Sequence, residues 1–149
     1  MGMIRLRQSF GATGRRFDMI HTASFFEDWN WGKKGRLVSI ALTTPMLAPD
    51  REIVTNELLC PEWNLVNSYR ARLKTTGEYR KIYMKMLYSR IGGYMLDMEN
   101  GRLGGKNALK LFELEDEDTL LCWENHGRFC HRIIVAELLR KNGVEVARK

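Results

Sequence analysis

The stretch TLLCWENHGRFCHRIIVAELLRKNGVEV, residues 119–146, decides the fold. It opens on Thr119-Leu120-Leu121-Cys122-Trp123, a short apolar run without polar alternation. Such a run marks a strand buried on both faces, as in a parallel sheet. From His131 the pattern changes. Ile133, Ile134, Val135, Ala136, Leu138 and Leu139 predict a helix over 131–142 whose broad apolar face packs on a sheet. Asn142-Gly143 supplies the stop, and Val144-Glu145-Val146 alternates like a last strand. Strand, helix and strand with short connections imply a parallel pair joined by a right-handed crossover.

Working outward, MIHTASFF (19–26) and RLVSIAL (36–42) read as two further strands. Between them lies a loop with Trp29, Trp31 and turn glycines, and Thr44-Pro45 ends the second strand. Pro61 suits a helix start, with Val66, Tyr69 and Leu73 following at helical spacing. Thr75-Thr76-Gly77 interrupts. Tyr79, Ile82, Tyr83, Met86, Leu87 and Arg90 then form the clearest helical stripe of the chain, read as core, and Gly92-Gly93 stops it. Residues 94–105 read as turns, 106–114 as a short helix, and the acidic run 113–118 as a solvated connection. GRLGGKN (101–107) looks like a phosphate loop but fails, because its spacing is one short and Asn107 replaces the magnesium-binding hydroxyl. The expected fold is α/β: a single compact domain over 1–149 with a mostly parallel sheet flanked by helices, a Rossmann-like three-layer arrangement. Residues 1–16, basic and glycine-containing, read as a flexible arm.

Composition narrows the function classes. The chain has 149 residues, of which 44% are hydrophobic and 28% charged, enough for a real core. No apolar run is long enough to span a membrane, and the start lacks a secretory pattern, so a cytoplasmic protein is expected. Three cysteines, an odd number, argue against a disulfide scaffold. The net charge of +6 favours anionic partners: a phosphate-bearing small molecule or nucleotide, or nucleic acid. No membrane partner and no cofactor is implied.

The chemistry concentrates at residues 122–132. Ligands of open α/β sheets bind beyond the carboxyl ends of the strands. Cys122 and Glu124 fall at such an end, while Cys130, His131 and Arg132 open the next helix. Helix starts attract anions, and an arginine there grips phosphate or carboxylate with two parallel hydrogen bonds. The same field lowers a thiol pKa, which makes Cys130 the better candidate nucleophile. Three sharper readings compete. Cys122-x5-Arg128 has the spacing of the cysteine-phosphatase and rhodanese loop, though Trp123, Glu124, Asn125 and His126 are bulky for its tight wrap. Cys122, His126, Cys130 and His131 are candidate zinc ligands at non-standard spacing, with His131 expected not to serve because helix neighbours point about 100° apart. Cys122 and Cys130 are also candidates for a reversible disulfide. A structural reading stands beside these: buried cysteines, with Glu124 and Arg132 closing the helix start.

The segment LLCWENHGRFCHRIIVAELL (120–139) resembles the signature of the DUF488 family, a domain of unknown function, through Cys122, Glu124, Cys130, His131 and Arg132. Thr22, Ser24 and Phe26 resemble its Thr-x-Ser-x-Phe first strand, and VSIAL before Pro45 its second. The resemblance implies an intracellular α/β domain in which Thr22 and Ser24 lie near the Cys-His-Arg segment. It implies no reaction. His126 and Arg128 depart from the family's loop.

The leading expectation is a domain that binds an anionic ligand at the Cys-His-Arg helix start. Cys130 is then nucleophile or redox thiol and Glu124 an acid or base. Cys122 and His131 support them. Arg132 and Arg128 hold the anion, and Thr22 and Ser24 add hydroxyl contacts. The alternative is a non-catalytic nucleic-acid- or partner-binding module working through the basic arm and Trp29 and Trp31. An enzyme is left undecided between them.

Overall fold

Among the described residues, five strands form one sheet: β1 (Met19–Ser24), β2 (Leu37–Ser39), β3 (Ile53–Thr55), β4 (Thr119–Cys122) and β5 (Glu145–Arg148). The computed structural model describes residues 18–25, 35–41, 52–70, 75–123 and 130–148. The strand order is β3-β2-β4-β1-β5, and every neighbouring pair is parallel. The sheet is therefore parallel throughout. All four residues of β4 are buried, as the run TLLC requires for an interior strand between β2 and β1.

Between β3 and β4 the described residues form four helices: α1 (Trp63–Arg70), α2 (Thr76–Ile91), α3 (Tyr94–Glu99) and α4 (Gly105–Leu111). The fifth, α5 (His131–Lys141), joins β4 to β5 and contacts both of those strands. It also meets α2, α3 and α4. Its stripe of Ile134, Val135, Leu138 and Leu139 is buried, as the apolar pattern demands. The result is the expected α/β architecture.

Four expectations need correction. The strands flanking α5 are parallel but not neighbours, because β1 lies between them. The segment Thr75-Thr76-Gly77 does more than interrupt: Thr75 Oγ1 accepts from the Glu78 amide and the Glu78 carboxylate accepts from the Thr75 amide, a capping box that starts α2. Residues 94–99 are helical rather than turns, with Met95 and Met98 buried. The acidic run is solvated at Glu113, Glu115 and Asp116, as expected, but it ends in a buried clamp at Asp118. Asp118 is fully buried, and its carboxylate accepts from the Arg36 guanidinium at 3.0 and 2.8 Å and from the Glu115 amide at 2.8 Å. Glu117 meets His21 at 2.8 Å, and Asp116 accepts from the Met19 amide at 2.7 Å.

GRLGGKN sits at the opposite edge from the candidate site. A Cβ on Gly105 would lie 3.6 Å from the Asp18 carboxylate, just before β1 begins. Among the described residues, no helix is long and apolar enough to cross a membrane.

Candidate functional site

Parallel strands deliver their carboxyl ends to one edge. The ends of β2, β4 and β1 therefore lie side by side there, with Ser24 registered on Cys122. The Phe25 amide donates to the Cys122 carbonyl and the Ile40 amide to the Leu121 carbonyl, carrying the order one residue past the ladder. The rings of Phe25 and Trp123 meet at this edge, with centroids 4.9 Å apart and planes tilted by 51°. The start of α5 arrives here directly from β4.

Cys130 is the N-cap of α5. Its backbone is extended, its carbonyl accepts from the Ile133 amide, and its sulfur accepts from the Arg132 amide at 3.5 Å. The Cys122 and Cys130 sulfurs are 2.8 Å apart, and both residues are buried. His131 is buried between β2 and the tyrosines of α2. Its Nε2 lies 2.5 Å from the Ile40 carbonyl. A carbonyl only accepts, so Nε2 carries the hydrogen and Nδ1 presents its lone pair. Nδ1 faces the Tyr79 hydroxyl at 3.4 Å and the Cys130 sulfur at 3.6 Å. Arg132 is also buried, and its guanidinium donates to the Ala23 carbonyl of β1 at 2.9 Å.

Electrostatics correct one expectation. Burial pushes the Cys130 thiol well above its ordinary pKa, and the neighbouring Cys122 sulfur adds to the rise. The Arg132 amide and charge pull the other way and lose. Helix start and cation do not outweigh desolvation here, so Cys130 rests as a neutral thiol. Burial likewise lowers the His131 pKa to about 4, against the Ile40 carbonyl and with help from the Arg132 charge. The imidazole is therefore neutral at neutral pH.

The structure thus gathers Ser24, Cys122, Cys130, His131 and Arg132. Ser24 Oγ donates to the Trp123 carbonyl at 3.4 Å. Thr22 is buried two residues deeper along β1, one pleat below Ser24. Glu124, His126 and Arg128 lie outside the described residues, as do the arm 1–16, Trp29 and Trp31. The arginine-loop reading, the four-ligand zinc reading and the aromatic nucleic-acid surface rest on those residues.

Sequence reading passed over three contributors. Tyr79 and Tyr83 belong to the core stripe of α2, and nothing in their spacing shows that Tyr79 turns its hydroxyl to His131. Cys60 carried no motif. Its thiol donates to the Ala41 carbonyl at 3.0 Å, next to the carbonyl that holds His131. Burial raises its pKa to about 11. Cys60 also lines a cavity of about 550 Å³ at the carboxyl end of β3, together with Trp63, Arg90, Glu57 and Glu62.

A direct consequence follows for reactivity. Native Cys60 and Cys130 should alkylate at neutral pH more slowly than they do in the urea-unfolded chain, by about tenfold or more. Mass spectrometry of iodoacetamide time courses checks this, and a native Cys130 that outpaces the unfolded one would contradict it.

Comparison with protein-family models, curated proteins and solved structures finds no match to this chain.

Proposed function

We propose that the chain is a DUF488-like domain that binds a phosphate-bearing or other anionic small molecule, nucleotides included, at the start of α5. The observation that supports this reading is the buried guanidinium of Arg132 at the carboxyl end of β1. The Ala23 carbonyl accepts from that guanidinium and helps to orient it. In parallel α/β sheets the carboxyl edge is where ligands enter, and a helix start beside it adds an attractive field for anions. Arg132 is the anion partner in this reading, with Arg128 assisting and Thr22 and Ser24 supplying hydroxyls. Cys130, with Cys122 and His131 around it, brings the reactive group, and Glu124 is the acid or base in this reading.

The test is calorimetric titration with inorganic phosphate and with a nucleoside diphosphate. Arg132→Met should weaken binding by roughly ten- to a hundredfold, the range expected for removing a charged hydrogen bond. Arg132→Lys should recover part of it, since the charge remains without the fork. Absence of phosphate and nucleotide binding by the wild-type chain would reject the reading. So would an Arg132→Met variant that folds and binds as well as wild type.

A further inference from the structure

We propose that Cys122 and Cys130 form a reversible dithiol–disulfide couple that exchanges electrons with low-molecular-weight disulfides. The reading rests on the placement of the two sulfurs and stands whether or not an anion binds beside Arg132.

Three observations carry it. First, the sulfurs lie 2.8 Å apart, closer than two packed thiols need to be and short of the roughly 2.05 Å of a disulfide. Second, the two cysteines are brought together by the fold on independent elements, one at the end of β4 and one at the cap of α5. The sheet and helix hold both in place before any bond forms. Third, Cys130 occupies a position where serine, threonine, aspartate or asparagine would cap better, because sulfur is a weak acceptor. Capping alone does not account for a cysteine there.

The surroundings assign roles. Cys130 is the attacking thiol: its sulfur accepts from the Arg132 amide and lies 3.6 Å from His131 Nδ1. That nitrogen presents its lone pair to the Cys130 sulfur and the Tyr79 hydroxyl, because Nε2 keeps its hydrogen on the Ile40 carbonyl. A nucleophile beside a base that a third group orients is a recurring arrangement in thiol chemistry. Cys122, on the strand, is the resolving thiol.

The exchange balances. Cys130 loses its proton and attacks one sulfur of an external disulfide, expelling a thiolate and leaving a mixed disulfide. Cys122 then loses its proton and attacks the Cys130 sulfur, expelling the second thiolate. The two protons end on the two released thiols. The protein gives up two electrons and the external disulfide is reduced to two thiols. Because both cysteines are buried, the exchange proceeds through local opening and is slow, while its equilibrium is set by the fold.

The experiment needs no cysteine variant. The wild-type chain is equilibrated with graded ratios of oxidised to reduced dithiothreitol, native and in urea, then acid-quenched and mapped by mass spectrometry. The expected product is one disulfide joining Cys122 to Cys130, with Cys60 a free thiol. The native pair should oxidise at a ratio about tenfold more reducing than the same pair in the unfolded chain, because pre-placement raises effective concentration. Two results overturn the proposal. One is a native pair that needs a ratio equal to or more oxidising than the unfolded pair. The other is a native disulfide that includes Cys60.

Discussion

Replacing Gly35 by alanine is expected to lower stability by roughly 3 kcal/mol or more. A Cβ on Gly35 would sit 2.2 Å from the Glu117 carbonyl oxygen and 2.5 Å from its carbon. Those are backbone atoms, and they are held from several sides. The Glu117 amide donates to the Met19 carbonyl at 2.7 Å, and its carboxylate meets His21. Glu117 itself has a φ of 74°, an uncommon conformation for a residue with a side chain. Next to it, Asp118 is tied to Arg36 and its carbonyl takes the His21 amide. Relief would have to move the clamp that fixes the entry to both β1 and β4. Urea unfolding measures the loss. Gly93→Ala is the control, because a Cβ there meets nothing within 4 Å and should change stability by a few tenths of a kcal/mol. Equal midpoints for the two variants would show that Glu117 yields easily.

The second large effect is a pH dependence set by His131. Its pKa is held to about 4 in the folded protein, against about 6.5 when unfolded. The folded value is lower, so the unfolded chain takes the proton first as pH falls. Above about pH 6.5 both states are neutral and the contribution is complete. Between about pH 6.5 and about pH 4 it is lost progressively. Below that, the native imidazole also protonates and this term flattens. The difference amounts to roughly 3 kcal/mol. His131→Gln should remove that part of the slope while retaining a donor for the Ile40 carbonyl. Unfolding free energies of both proteins across this window test it. Parallel pH profiles for wild type and variant would mean that His131 is not held neutral by the fold.

Protonating His131 also bears on the thiol pair. Nδ1 then becomes a donor and no longer accepts a proton from Cys130. Exchange at Cys130 should therefore slow as His131 titrates, in addition to the general loss of thiolate at low pH.

What could be read from the chain follows the range over which each signal acts. A strand buried on both faces prints an unbroken apolar run, so β4 was legible in TLLC. The apolar face of α5 and the stripe of α2 were equally plain, since helical periodicity is written into consecutive turns. Short elements print too little. Ile53–Thr55 has three residues and shows no period, so β3 passed unread. Tyr94–Glu99 lies between Gly93 and Asn100-Gly101, and those breakers hid a six-residue helix. The acidic run looked like surface because charge usually is. Most of it is surface, and the burial of Asp118 alone depends on Arg36, 82 residues away.

The same division holds at the site. Sequence by itself determined which residues share the edge: a cysteine ending β4, then Cys130, His131 and Arg132 opening α5. Local spacing was enough for that, because the connection between them is short. Only the tertiary structure decided what those residues are. Strand order placed β1 between β4 and β5 and so brought Ala23 to Arg132 and Ser24 to Cys122. Tyr79 and Tyr83 came to pack against His131, and the two thiols and the imidazole ended up buried. Desolvation then reversed the expected direction of the Cys130 pKa. Burial is a sum over partners that come from all parts of the chain, and no local pattern records that sum.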